Sequence, residues 1–281
     1  ESLQRIAGVS ITRDFGEGER VSIRGTAPQL NRTLVNGQNI ATTKWWALEP
    51  SSRSFNYSLL PSELVSSLEV YKSPEAKIDE GAIGGTVILR TRKPLDLDAG
   101  AGFGSAGIRY NDKTESSDPQ VSGLYSWKNE DETFGAFVSL VRQTRNLRRD
   151  GIEAWSWATR DIEMEDGTIH ENVYSSGGGG SAMFSQERVR TGATLTLQYR
   201  PNDQTDITFN ALDNTLEADN ENQNFLWLPG YGDSKHTDIT IVDHPTVGKM
   251  AVAGTLGLSP DGNNILDETK VRNSKLKTKS Y

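Results

Sequence analysis

The sequence predicts a small α+β domain followed by the first strands of an antiparallel transmembrane β-barrel, and three observations carry that prediction. Short apolar segments punctuated by glycine fill residues 1–95. From Gly100 onward, longer strands with two-residue alternation take over. The connections between those strands alternate in length, which is how a barrel that crosses a bilayer puts turns on one side and loops on the other.

Composition allows this architecture and excludes several others. Hydrophobic residues make up 35% of the chain, mean hydropathy is -0.57, and no run approaches the roughly 20 apolar residues that a spanning helix needs. A barrel strand escapes that test because only every second residue faces lipid. Twenty-seven glycines against three methionines favour strands and turns. The absence of cysteine removes disulfide frameworks, thiolate nucleophiles and cysteine-containing zinc sites. Residues 1–95 hold 12 Lys/Arg against 10 Asp/Glu, and residues 96–281 hold 18 against 28, so the acidic excess lies in the second part. That excess argues against nucleic acid as a partner, because phosphate binding requires basic residues. No signal peptide is visible, and Glu1-Ser2-Leu3-Gln4-Arg5-Ile6 reads like the middle of a domain, so the natural N-terminus is expected upstream.

In the first domain, Leu3, Ile6 and Ala7 have helical spacing, Gly8 ends the pattern, and Val9-Ser10-Ile11 starts a strand. Val21 to Gly25 forms a second strand. Thr33-Leu34-Val35 forms a third that runs into the hairpin turn Asn36-Gly37. Pro61 opens a helix through Ser67, with Glu63 in its first turn. Leu68 to Lys72 returns to strand, and Gly81, Gly84 and Gly85 lead into the strand Thr86–Arg92, which Pro94 stops.

In the second part, Val121, Gly123, Tyr125 and Trp127 share a face, as do Phe134, Ala136, Val138 and Leu140 after the short turn Asn129-Glu130-Asp131. Leu195, Leu197 and Tyr199 alternate with polar neighbours, and after Pro201-Asn202-Asp203-Gln204 so do Ile207, Phe209 and Ala211. The link from Tyr110 to Val121 is of intermediate length, while Arg142 to Glu187 and Glu217 to Lys270 read as long loops. Tyr125, Trp127 and Tyr199 then fall at the interface near the short turns, where amphipathic rings are favoured.

The catalytic and cofactor motifs fail on context. Gly102, Gly104 and Gly107 have the spacing of a dinucleotide turn, but the strand-like Ile108-Arg109-Tyr110 follows in place of a helix. Those glycines are better explained as relieving crowding on a barrel strand. Gly177 to Gly180 lacks the Lys and Ser/Thr of a phosphate cradle and reads as a flexible loop. His170, His236 and His244 lie in apparent loops without metal-ligand spacing. No nucleophile elbow appears, and the pair Glu163 and Glu165 sits in an acidic, solvated stretch. The expectation is therefore a protein that is not an enzyme and has no cofactor.

Six ordered blocks in residues 1–95 resemble a known family. These are Glu1 to Ile11, Val21-Ser22-Ile23-Arg24-Gly25, Leu34-Val35-Asn36-Gly37, Leu60-Pro61-Ser62-Glu63-Leu64-Val65, Leu68 to Pro74, and Glu80 to Val87. Together they resemble the plug domain of TonB-dependent outer-membrane receptors, and the variant is similar to a Xanthomonas and Caulobacter subgroup, many of whose members are thought to import oligosaccharides. The resemblance implies a plug in residues 1–95 and, in residues 96–281, the start of a 22-stranded barrel. It implies location in the outer membrane among its lipids, a missing TonB box for the partner TonB, and import of a small nutrient. Oligosaccharide is the first expectation and a ferric siderophore the alternative.

The resemblance also implies that Arg24, with one of Arg90 or Arg92, locks the plug to carboxylates of the barrel wall; a buried guanidinium needs such a partner. Trp45 and Trp46 are expected near the plug apex, where exposed indoles stack on sugar rings, and Trp155, Trp157 and Tyr174 carry the same expectation for the first long loop. A soluble carbohydrate-binding β domain would account for the alternation but not for the ordered blocks. A signalling receptor would add a domain upstream of Glu1.

Overall fold

A computed structural model describes residues 2–14, 17–40, 42, 52–60, 65–228, 235–257 and 265–280. After one 3-10 turn at Ser2–Arg5, strands β1 (Val9–Asp14) and β2 (Glu17–Ile23) pair antiparallel as a two-stranded sheet of their own. β3 (Asn31–Val35) and β4 (Gln38–Asn39) flank the Asn36-Gly37 turn, with φ of 53° at Asn36 and 84° at Gly37. Two left-handed residues in succession match the twist of a hairpin, and that pair is suited to supply them. β5 (Val65–Tyr71) and β6 (Gly85–Thr91) complete a four-stranded sheet in the order β4-β3-β6-β5, in which only β3 and β6 run parallel. Ile23 and Val87 are fully buried and join Leu3, Val9 and Val21 in one core, so the hairpin packs on the sheet through its apolar base.

The expected helix from Pro61 to Ser67 needs correction where it can be seen. Residues 61–64 lie outside the described residues, and Val65–Ser67 already belong to β5, paired with Thr91 and Arg90 of β6. β-branched Val65, with Leu68 and Val70 alternating after it, suits a pleated surface better than a helix. Among the described residues, helical structure is limited to 3-10 turns.

Ten strands follow: β7 (Gly102–Asn111), β8 (Ser116–Lys128), β9 (Phe134–Trp155), β10 (Ala158–Glu163), β11 (Ile169–Ser175), β12 (Gly178–Asn202), β13 (Thr205–Trp227), β14 (His236–His244), β15 (Gly248–Leu256) and β16 (Ile265–Ser280). Six of them form an open sheet in the order β16-β13-β12-β9-β8-β7, hereafter the wall. The short turns fall where expected. Asn129 accepts the Phe134 N–H at 2.8 Å, and Asn202 accepts the Gln204 N–H at 3.0 Å. The intermediate link is shorter than expected, since β7 and β8 leave only residues 112–115 between them.

The two long loops are largely strand. β9 and β12 run far past Arg142 and Glu187, with the hairpin β10–β11 between them, and β13 extends to Trp227 before the hairpin β14–β15. His170, His236 and His244 are therefore strand residues. Contacts group the chain into one unit of residues 1–147, 186–219 and 273–281, and a second of residues 148–185 and 220–272. The first unit holds the whole 1–95 segment together with the wall strands packed on it.

Sidedness separates the wall from an ordinary sheet. Val121, Tyr125, Trp127, Val138, Leu140, Leu195, Tyr199, Ile207 and Phe209 lie exposed on one face, while Ser122, Ser126, Ser139, Thr194, Thr196, Gln198 and Asn214 are buried on the other. The outward face of the wall is apolar, and the buried face mixes these polar residues with Phe137, Leu212 and Leu216; an exposed apolar face of this extent is the pattern of a sheet that faces lipid.

Candidate functional site

The polar face of the wall meets the 1–95 segment, and the contacts are specific. Glu19 on β2 and Arg188 on β12 form an ion pair at 2.7 Å with only 3% and 5% of their side chains exposed. Gln186, two residues along β12 and so on the same face, holds the Arg188 guanidinium through its Nε. A buried pair of this kind needs added hydrogen bonds to offset lost hydration, and Gln186 supplies one.

A second set of contacts fixes residues 93–96. The Leu95 N–H donates to Gln198 Oε1 at 3.2 Å, and Lys93 reaches Asp206 at 3.2 Å. Asp206 also accepts from Gln198, Arg200 and the Thr208 hydroxyl, so one carboxylate gathers four donor side chains. Gly135 on β9 faces the same segment. A Cβ there would lie 2.9 Å from Pro94 Cβ and 3.1 Å from Leu95 Cδ2, so glycine leaves the space that these two side chains fill. Gly104 and Gly107 meet nothing within 4 Å, and Gly102 makes only ordinary contact, so the expectation that these three relieve crowding is incorrect. Lower still, Leu212 of β13 joins Phe55, Leu60 and Leu89 in a shared apolar cluster.

Between these contacts lies a cavity of about 780 Å³. Ile11, Glu19, Arg20, Val65 and Leu68 line it from the first domain, and Arg109, Gln143, Arg145, Arg188 and Arg190 from the wall. Five arginines are thus among the residues that line it, with Glu19, already paired with Arg188, as the one acidic residue. Guanidinium donors in a partly desolvated chamber suit carboxylate, catecholate or phosphate oxygens.

The residues named from sequence fall in several places. Arg24 is exposed in the left-handed turn after β2, with φ 53°. Arg90 pairs with Glu69 of the neighbouring strand at 3.0 Å, inside the first domain and not with a wall carboxylate. Arg92 is half-buried at the end of β6. Trp45 and Trp46 lie outside the described residues. In the second unit, Trp157 stacks on Tyr174 with centroids 5.7 Å apart and planes at 25°, and 41% of Trp157 is exposed. Gly177 to Gly180 is no flexible loop. Gly178–Gly180 are buried in β12, where a Cβ on Gly178 would meet Trp155 Nε1 at 3.1 Å and one on Gly179 would meet Trp227 Nε1 at 2.9 Å. The run lets two indoles close on the backbone. No group of three His, Asp or Glu suited to a metal ion occurs among the described residues.

Sequence reasoning missed Glu19, Arg188, Lys93 and Asp206. Position offered one signal: Glu19 and Arg188 are charges on faces that the surrounding alternation assigns inward.

Comparison with known proteins points the same way as the geometry. Residues 1–86 match the family model described as TonB-dependent Receptor Plug Domain. The ferric enterobactin receptor PirA of Pseudomonas aeruginosa is 29% identical over 106 residues, 34% of this chain and 14% of that protein. The probable TonB-dependent siderophore receptor PirA of Acinetobacter baumannii is 31% identical over 101 residues, 32% of this chain and 13% of that one. The match thus spans about one seventh of each curated relative. The solved structure of the siderophore receptor PirA from Acinetobacter baumannii aligns with 98% of this chain and 41% of its own at 14% identity and a TM-score of 0.39. The outer membrane transporter YddB from Escherichia coli aligns with 95% and 41% at 11% identity and a TM-score of 0.38. The plug match over residues 1–86 and the two curated relatives support a TonB-dependent receptor, with its plug at the start of this chain.

Proposed function

We propose that the chain supplies the plug and leading wall strands of an outer-membrane receptor that imports an anionic ferric chelate when TonB acts on the plug. The arginine-lined cavity between plug and wall carries the choice of cargo. A neutral oligosaccharide gains less from an arginine-rich lining than a catecholate or carboxylate chelate of iron, whose charged oxygens suit guanidinium donors. The two curated relatives, one described as a ferric enterobactin receptor and one as a siderophore receptor, favour the same cargo. Support therefore moves from the oligosaccharide, the first expectation, to the ferric siderophore.

Aromatic residues complete the reading. Trp157 and Tyr174 offer a stacked pair that a catechol ring extends, and Trp155, packed on Gly178, is the third aromatic residue of this proposed contact set. Trp45 and Trp46 keep their proposed role as cargo contacts at the plug apex. Arg24 and Arg92 keep their proposed role in locking the plug.

The test is uptake by cells that make the complete receptor, with and without TonB, offered iron-labelled ferric enterobactin and, separately, a labelled maltodextrin. Chelate uptake that requires TonB, and that falls several-fold in W45A/W46A at unchanged receptor abundance, is the expected result. Uptake of the sugar alone would overturn the cargo. Uptake that ignores TonB would overturn the transport reading.

A further inference from the structure

We propose that the outward face of the wall carries a binding site for the phosphate group of a membrane lipid, set between Arg142 of β9 and Lys277 of β16 where the apolar belt of the wall ends. The proposal rests on that face meeting lipid and is independent of the cargo.

The belt has a defined edge. On β9 the outward residues Phe134, Ala136, Val138 and Leu140 are followed by Arg142. On β12 the outward series Tyr199, Leu197, Leu195 and Ala193 gives way to Thr191, and on β13 Ile207, Phe209 and Ala211 give way to Asp213. Three neighbouring strands thus turn from apolar to polar at residues that line one concavity. Arg142 follows Phe134 by eight residues, which is about 27 Å along the strand and about 20 Å in height at an ordinary barrel tilt, near the roughly 25 Å of a lipid-facing belt. Short turns mark the periplasmic end of such barrels, so this edge is the outer one.

The concavity has a volume of about 700 Å³ and runs over the small residues Gly192 and Ala193 of β12, between Leu140 and Arg142 on β9 and Asp213 and Thr215 on β13. Its apolar part suits an acyl chain, since Val121 and Leu140 are 56% and 60% exposed. Its polar end holds two cations, the hydroxyls of Thr191 and Thr215, and Asp213 as the one acidic lining residue, so positive charge is in excess. Lys275 is already paired with Glu217, whereas Lys277 stands 3.9 Å from Asp213, at the outer limit of an ion pair. A phosphate between Arg142 and Lys277 gains charge-assisted contacts from both, at the depth where lipid headgroups lie. A dissolved anion would use the cations and leave Val121 and Leu140 uncovered; a lipid uses both parts.

Native mass spectrometry of the complete receptor in a phosphate-free maltoside detergent, titrated with phosphatidic acid and with diacylglycerol of the same chains, tests this. Wild-type receptor should retain phosphatidic acid and not diacylglycerol, and excess inorganic phosphate should not displace it. R142Q/K277Q should weaken retention roughly tenfold, as the loss of two exposed charge-assisted contacts implies. R142K/K277R, which keeps both charges, should stay near wild type, and K113Q/K249Q, which removes two charges outside the concavity, should change nothing. Equal retention of diacylglycerol would make the groove an acyl site alone, displacement by inorganic phosphate would make it a free-anion site, and equal loss in K113Q/K249Q would reduce it to general charge attraction. Each of these, or no retention by wild type, overturns the proposal. Should the double variant fail to assemble, R142Q and K277Q are read singly. Uptake is not a readout here, so failure of the cargo reading leaves this test standing, and the reverse.

Discussion

The plug and the wall are built from the same two-residue alternation with opposite burial. In the plug, Ile23 and Val87 are fully buried and Arg24 and Arg90 face outward. In the wall, Leu140 and Ile207 are 60% and 58% exposed while Thr196, Gln198 and Asn214 are fully buried. Alternation fixes the period of a strand and says nothing about which side meets water. The inversion has a mechanical consequence. An apolar interface between plug and wall would lose its hydrophobic gain on opening; the interface seen here adds hydrogen bonds and ion pairs, which water can replace, to the apolar cluster of Leu212 with Phe55, Leu60 and Leu89.

The sharpest way to break this contrast is a charge on the outward face. L140R in the complete receptor should cost about 2–4 kcal/mol if that face lies near the bilayer midplane. Receptor assembled in the outer membrane, followed by the heat-modifiable shift of its band on electrophoresis, should fall several-fold. Wild-type assembly would mean that water or another protein covers the face, and the inverted burial would lose its explanation. I23D offers the converse test: it should unfold the plug core and leave assembly of the wall intact.

A smaller effect probes where plug and wall touch. In G135V the new side chain overlaps Pro94 and Leu95, so residues 93–96 must shift at a cost of about 1–3 kcal/mol. Faster hydrogen exchange at Leu95, whose N–H now donates to Gln198, is the expected readout, with the wall strands unaffected. Unchanged exchange there would show that the segment adapts and that the close approach at Gly135 matters little.

What the sequence made legible divides along the same line. Strands with one wet and one apolar face announce themselves, as Leu195–Tyr199 and Ile207–Ala211 do, and Asn36-Gly37 announces its turn. Residues 143–150 do not: Gln143 to Asn146 and Arg148 to Asp150 are all polar and only Leu147 interrupts them, so no apolar period remains there to mark β9 as strand. Gly178–Gly180 misled for another reason. A glycine run has the same appearance whether it is free or packed under tryptophan, and only the fold brings Trp155 and Trp227 to it. Alternation marks Glu19 and Arg188 as inward charges, but their pairing was illegible because the two residues lie far apart in the chain. The family resemblance implies a plug lock with arginine on the plug; the buried ion pair in the structure has its carboxylate on β2 and its arginine on β12.

The smallest predicted effect concerns that reversal. If Arg90 reached across to the wall, losing it would loosen the plug. In the structure its partner is Glu69 on the next strand, and both side chains are more than a third exposed, so solvent screens the pair and limits its worth to about 0–1 kcal/mol. The Arg90 guanidinium, with help from the Tyr71 hydroxyl, holds the Glu69 carboxyl below its usual pKa. A carboxyl whose pKa is lower folded than unfolded contributes stability above the unfolded value, near 4.3, and loses it as pH falls through the folded value. R90Q should therefore lower thermal stability of the complete receptor slightly at pH 7 and hardly at all at pH 3. A loss well above 1 kcal/mol, or one that persists at pH 3, would return Arg90 to the wall. A small loss confined to neutral pH leaves Glu19 and Arg188 as the pair that tells plug from wall.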